Sequence, residues 1–482
     1  MNRKIYSLFL LFVSVSSFAQ QVESNHDASW TLRECVEYAL KNNLTVKRSE
    51  LDVQESKIQL EQSRMSRLPS INGQTSYGFS WGRGLDPVTN QFVEQEIKSS
   101  NVGVQGSLPL INGLTLHNQA RQSFHNYKAS EYDLAKSIND VSLNIAYLFI
   151  NVVFNQEQLQ NSTYLLESNK QQLERTRKQV EAGSLPRSEQ LNFEAQLATN
   201  ELTVVQNENA LALSILQLKQ ALQIPANQPF SIEVPELDVE DFILESTRED
   251  IYTVAEQLMP EIKSSQLRVE SSYYGVKAAR GSLLPRLSLV SSLQTNYSST
   301  SEPVFMPDGS ITYSTVPIAV VNNDPTQQVF AISRGGRYEN INTFSDQFRN
   351  NIYRTLGLQL VIPILNGNQA RASYQRSKIV RERALINQKE VANTLRTNVE
   401  TAYNDALAAS KTYASAERQV SMRDEAYRMM KQRYEIGASY YVEYIVSENE
   451  LYRAKSDLVR AKYDFIFKKK VLDFYQGKQL DY

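Results

Sequence analysis

The side chains that could do chemistry in this 482-residue chain are few and poorly spaced for it. There are three histidines, His26, His117 and His125, and the last two stand eight residues apart on one expected helix. A helical metal pair needs a spacing of four. The single cysteine, Cys35, has no partner for an internal disulfide. Gly82-Arg83-Gly84 follows an expected strand without opening a helix, so it lacks the rest of a phosphate-binding loop. The scattered serines and glutamates form no nucleophile–base or acid pair. Charged residues are 22% of the chain and balanced in sign, which leaves no basic surface for nucleic acid. Catalysis is therefore not expected, and no cofactor or metal is either.

The elements behind these residues are more informative. In INGQTSYGFSW, Ile71–Trp81, the set Ile71, Gly73, Thr75, Tyr77, Phe79 and Trp81 alternates with Asn72, Gln74, Ser76, Gly78 and Ser80. This period of two marks a strand with one apolar face. Strands are expected at about 70–81, 100–110, 286–297 and 351–364, each with the same two-faced pattern. Arg354 interrupts the apolar set of the fourth near its end, where a long side chain reaches an interface.

Around the strands the chain reads as helix. Trp30 opens the first helix, with Thr31 and Glu34 spaced as a capping box. This helix is expected to run unbroken to Arg67, and Pro69 stops it. Leu191, Ala195, Ala198, Leu202, Val205, Asn209, Ala212 and Leu216 step by four and three, a coiled-coil seam. Leu143, Tyr147, Ile150 and Phe154 step likewise on an expected partner helix.

The order of parts occurs twice. LPLING at Leu108–Gly113 returns as IPILNG at Ile362–Gly367, and VEAGS at Val180–Ser184 returns as YEIGA at Tyr434–Ala438, both shifted by 254. Leu68-Pro69 returns at Leu284-Pro285, shifted by 216, so the second copy holds 38 more residues in its strand region. Two repeats are expected, 20–247 and 248–482, each running helix, strand, strand, long helix, turn, helix. The tip turns fall at 183–186 and 437–440. The segment 224–247 links the repeats and, with the tail 476–482, is a candidate belt around the waist. Gly113 to Gly183 and Gly367 to Gly437 both span 70 residues. As helices these would be rods of roughly 105 Å, with the strands at one end and the glycine turns at the other.

The first nineteen residues, with Arg3 and Lys4 before the apolar run Ile5–Val15 and Ser17-Phe18-Ala19 after it, read as a secretory signal peptide. Its removal moves the net charge from −2 to −4. No later segment is long and apolar enough for a membrane helix. The nearest, Val141–Phe154, carries Ser142, Asn144 and Asn151 and reads as a buried helix face. An exported chain of this kind crosses a bilayer only as a closed barrel. Four strands are too few to close alone, and three copies would supply twelve. Tyr77, Phe79, Trp81 and Tyr297 suit an aromatic girdle against outer-membrane lipid. The 52 residues from Ser298 to Arg349, polar with several prolines and glycines, read as an extracellular loop. A soluble sandwich edge fits poorly between such long helices. A trimeric adhesin would keep its strands at the C-terminus, and a pore-free periplasmic scaffold leaves the strands without a purpose.

With WTLRECVEYALKNN near the start, the LP-like junctions, the paired NG steps, and the turns VEAGSLPRSEQL and YEIGASYYVEYI, the chain resembles the TolC-like outer-membrane efflux factor family over essentially its whole mature length. The resemblance implies a mainly α protein with a transmembrane β-barrel part: a homotrimer with a twelve-stranded barrel on a long α-helical coiled-coil tunnel. It further implies placement in the outer membrane of a diderm bacterium with a long periplasmic extension. The implied role is the exit duct of a tripartite pump or type I secretion system, completed by a periplasmic adaptor and an inner-membrane transporter. The family places an acidic residue after each glycine turn, where the tunnel narrows. Glu189 and Glu443 occupy that place, and Val446 stands where a second acid is often found. The other reading of both carboxylates is a solvated helix-start charge favoured by the dipole. Tyr440 and Tyr441 either narrow the tip or pack into the core. Gly183, Ser184 and Leu185, with Gly437, Ala438 and Ser439, are candidate adaptor contacts as well as ordinary helix ends.

Overall fold

The structure, a computed structural model, describes residues 29–85, 90–94, 96–234, 247–299, 304–339 and 343–478. The expected signal peptide, His26, and parts of the linker and of the C-terminal tail lie outside the described residues. The elements run α1 (Leu32–Asn42), α2 (Leu44–Met65), β1 (Ser70–Ser80), β2 (Arg83–Leu85), β3 (Phe92–Glu94), β4 (Ile97–Ile111), α3 (Thr115–Glu181) and α4 (Arg187–Leu222). They continue with α5 (Arg248–Leu258), α6 (Pro260–Gly281), β5 (Arg286–Ser298), β6 (Val304–Val320), β7 (Gln328–Glu339), α7 (Phe344–Asn350), β8 (Tyr353–Val361), α8 (Gln369–Glu435) and α9 (Tyr441–Tyr475). The duplication is visible element by element. α1, α2 and β1 start 216 residues before α5, α6 and β5, whereas α3 and α4 start 254 before α8 and α9. Both α3 and α8 have 67 residues.

The first expected helix is two helices. Thr31 makes the capping box, accepting from the Glu34 amide while the Glu34 carboxylate accepts from the Thr31 amide. Asn43 then leaves the helical region, with ψ at 130°. Its Oδ1 accepts from Thr45 N at 2.8 Å and its Nδ2 donates to Ala221 O at 3.1 Å, so one side chain caps α2 and ties the break to α4. The second repeat breaks at the matching place by other means. Met259 is extended because Pro260 follows it, and proline suits the first position of α6.

The chain divides into two compact units. The strand-bearing unit comprises Arg48–Ser137 and Tyr252–Asn398. Its main sheet is fully antiparallel in the order β1-β4-β5-β8. The register places Ile71, Gly106, Ser291 and Leu356 in one row, and Leu108, Leu289 and Leu358 in another. All four apolar sets therefore share a single face, and most of their large side chains are exposed: Ile71, Trp81, Val104, Leu293, Leu358 and Leu360. The opposite face is polar and cross-linked, with Asn101 Nδ2 donating to Asn296 Oδ1 at 2.8 Å and the Ser292 and Thr355 hydroxyls 2.6 Å apart. β1 and β8 are the edge strands. The turn from β4 into α3 needs Gly113, with φ +60°, because a Cβ there would lie 2.4 Å from Gly281 O.

The region expected as one extracellular loop, 298–349, contains regular structure. β6 and β7 form an antiparallel ribbon. Pro307, Gly309 and Pro317 hid it from a periodicity reading. They sit where the ladder shifts register, and a ribbon tolerates proline at such bulges. α7 packs on β5: Gln347, buried, donates to Ser298 O and accepts from Ser298 N, both at 2.9 Å. β2 and β3 form a second small ribbon in the β1–β4 connection.

The helical unit comprises the segments to Lys47, Ile138–Ile251 and Val399–Tyr482. One stretch of α3 is apolar enough, by length and composition, to cross a membrane. Here it is core: Ile145, Ala146, Phe149, Val152 and Val153 are buried, as are Leu218, Phe465 and Leu472 of α4 and α9. The expected seam on α4 is not the one that packs within the chain. Phe193, Asn200, Ser214 and Leu218 are buried, with Leu197, Val204, Asn207 and Leu211 partly so, a heptad run offset by two from the expected one. Leu191, Leu202 and Val205 are exposed, and so are Ala195, Ala198, Asn209 and Ala212. On α3, Ile150 is buried but Tyr147 is exposed, its ring edge-on to Phe467 at 5.4 Å. α4 thus carries two apolar stripes, and the chain itself covers one.

Candidate functional site

Two helix–turn–helix tips, α3 into α4 and α8 into α9, come together in the helical unit. Each turn is built the same way. Gly183 and Gly437 take φ +75° and +73°, open to solvent on the Cβ side. Gly183 N donates to Val180 O and Ser184 N to Gln179 O, while Gly437 N donates to Tyr434 O and Ala438 N to Arg433 O. This is the Schellman pattern, which satisfies the last carbonyls of a helix and reverses the chain. Gly183, Ser184, Gly437 and Ala438 are exposed, and Leu185 and Ser439 are partly buried.

The two carboxylates expected at matching places sit differently. Glu189 lines a cavity of about 330 Å³ between the two turns, with Arg175, Leu185, Tyr434, Ser439 and Tyr440 among its walls. Its Oε2 is buried without a hydrogen-bond partner, and burial pushes its pKa up. Glu443 is exposed at the start of α9, outside the cavity lining. The tyrosines also part company. Tyr440 is 80% exposed, whereas Tyr441 is buried, its ring 4.4 Å from Phe193 and its hydroxyl donating to Asn192 O at 3.2 Å. Leu173, Phe193, Tyr441, Tyr444 and Ile445 form an apolar cluster, with Tyr427, Met430 and Tyr434 packed around it. Burial, with the Glu189 charge second, pushes the Tyr434 hydroxyl up to about 12.

Next to this cluster lies a polar layer that sequence reasoning missed. Glu448, only 4% exposed, receives three hydrogen bonds, all at 3.1 Å: Tyr427 Oη and Tyr444 Oη donate to Oε1, and Asn169 Nδ2 donates to Oε2. No lysine or arginine touches it among the described residues. The signal was present in the sequence. Tyr441, Tyr444, Glu448 and Leu451 follow core spacing, so an acid stands where an apolar residue belongs.

In the strand-bearing unit, Tyr77, Phe79 and Trp81 follow one another along the apolar face of β1, with ring centroids 5.3 and 6.1 Å apart. Tyr297 joins their face through the row Tyr77–Ser100–Tyr297, and its ring lies tilted against Phe344 with centroids 5.2 Å apart. His125 is a packing residue here, its ring 5.2 Å from that of Tyr274 and its Nδ1 2.9 Å from the Glu270 carboxylate.

Several solved structures share this fold. CusC, a structure described in terms of transmembrane channel formation, superposes with a TM-score of 0.73 at 17% identity, covering 95% of this chain and 96% of that one. The outer membrane protein VceC of Vibrio cholerae gives 0.72 at 12% identity, with 93% and 97% covered. The CmeC outer membrane channel of Campylobacter jejuni gives 0.72 at 18% identity, with 94% and 87% covered. No curated protein sequence is close enough to match. The sequence itself fits one family, Outer membrane efflux protein, over residues 35–222 and 251–472, most of both repeats. The chain is a member of the outer membrane efflux protein family.

Proposed function

We propose that this protein is the exit duct of a tripartite efflux pump or type I secretion system. The observation that carries the reading is the four-stranded sheet, with a bare apolar face and two unpaired edges. A lone chain in lipid would leave the backbone groups of β1 and β8 unsatisfied, which costs several kcal/mol for each group. Three copies joined edge to edge close a twelve-stranded barrel with the apolar face outward and the polar face lining water. Tyr77, Phe79, Trp81 and Tyr297 then stand at a membrane interface. The second apolar stripe on α4 supports the same reading, because it offers a neighbouring copy a ready coiled-coil seam.

The two repeats, 20–247 and 248–482, each supply two barrel strands and one helical tip. The duct conducts passively. A periplasmic adaptor docks at Gly183, Ser184 and Leu185 and at Gly437, Ala438 and Ser439, opening the tip toward an inner-membrane transporter. The segment 298–349 faces outside the cell, and 224–247 with 476–482 girdles the waist. Glu189 and Glu443 make the entrance selective for cations.

Planar-bilayer recording tests this. The purified protein should give discrete conductance steps with cation preference, and Glu189→Gln with Glu443→Gln should shift the reversal potential toward zero. Absence of channels would favour a coiled-coil scaffold. Channels with an unchanged reversal potential would take these two residues out of the pore.

A further inference from the structure

We infer that Glu448 takes up a proton to clasp α9 to α3, and that the packing of the tip loosens when this proton leaves. The geometry is a carboxyl group reached from three helices. Asn169 comes from α3, Tyr427 from α8 and Tyr444 from α9. On α4, Asn200 is 4% exposed with its Nδ2 unpartnered, and Gln196 donates to its Oδ1. The charged and titratable groups around Glu448 are Tyr427 and, at longer range, Lys431 on α8, with Tyr444 and Tyr441 on α9. α3 and α4 contribute the amides of Asn169, Gln196 and Asn200 to the layer, and α3 also places Tyr164 where it acts on Tyr427.

A buried carboxylate with only neutral donors lacks the countercharge that would offset its desolvation, so it lowers its cost by binding a proton. The hydroxyls of Tyr427 and Tyr444 lie 3.3 Å apart. Each is free to turn its hydrogen toward the other and accept from a protonated Glu448, so the layer stays bonded in both charge states. Burial raises the pKa of Glu448 above its ordinary value of 4.5, against the lowering effect of its three hydrogen bonds. The sign follows. With a raised pKa in the packed state, the stabilisation is complete below about 4.5 and is lost as pH climbs through the packed-state value. The packed layer therefore binds a proton that the opened layer releases. This reading does not depend on conduction, and its test is independent of the bilayer experiment.

The test is hydrogen exchange on the full chain in detergent, corrected for the intrinsic pH effect, between about pH 5 and pH 8. Protection in the α9 stretch 441–451 should fall by about tenfold for each pH unit inside the window, while the stretch 458–472 of the same helix stays level. Glu448→Gln, neutral and of the same shape, should hold the protection of 441–451 high and independent of pH. Flat protection in the wild type, or a parallel fall in Glu448→Gln, would overturn the clasp. If the variant does not fold, the contrast between the two wild-type stretches decides.

Discussion

At the scale of single residues, the two tip glycines show how directly a sequence position can become a backbone requirement. Gly183 and Gly437 hold left-handed conformations, and an added Cβ would meet no atom within 4 Å. The cost of alanine there is therefore conformational rather than steric, about 1 kcal/mol at each turn. Gly183→Ala and Gly437→Ala should each lower the unfolding midpoint slightly and additively, measured by circular dichroism, because the two turns do not share a hydrogen bond. The glycines were legible because two copies stand 254 residues apart, each followed by an acid six positions on. The fate of those acids was not legible. Equivalent positions put Glu189 into a cavity and Glu443 into solvent, because residues flanking the two turns differ. Pro186 leads into α4 where Tyr440 leads into α9. Glu448 was missed for the opposite reason: a lone acid on a helix usually reads as surface, and only its core spacing marks it.

At the scale of elements, periodicity found the four main strands because each presents an apolar set to one shared face. It failed where the face is not shared. The β6–β7 ribbon exposes Tyr313, Val316, Ile318 and Ile332, and Pro307 and Pro317 interrupt any regular alternation. It also failed at Asn43, whose backbone N–H closes α1 on Ala39 O while its side chain caps α2, a local hydrogen-bond choice that composition does not announce. Two-stranded ribbons contribute little stability of their own. Replacing residues 304–339 with a short glycine-serine link should therefore leave the melting of the rest almost unchanged. Shortening a loop alters its closure cost by only about 0.6 kcal/mol per halving. The check is a melting curve beside the wild type, together with the assembled mass in detergent. A large loss in either would mean that the ribbon braces the sheet or joins neighbouring copies.

At the scale of the whole molecule, the sheet and the helices make the same demand in different chemical terms. Hydrogen-bonding groups on β1 and β8 need neighbours, and so does the uncovered stripe on α4. The two demands are separable by mutation. Leu202 and Val205 are exposed in the single chain, so charging them should leave its fold intact. In an assembly that buries the stripe, each loses about 1.5–3 kcal/mol of apolar burial and adds a desolvated charge in every copy. Leu202→Glu with Val205→Glu should therefore keep the wild-type helix content by circular dichroism while shifting the mass in mild detergent from the proposed three copies toward one. Leu197→Glu, on the stripe that the chain covers for itself, should instead reduce helix content and assembly together. If the exposed pair leaves the assembled mass unchanged, the stripe does not join copies, and the sheet edges alone must hold the proposed duct closed.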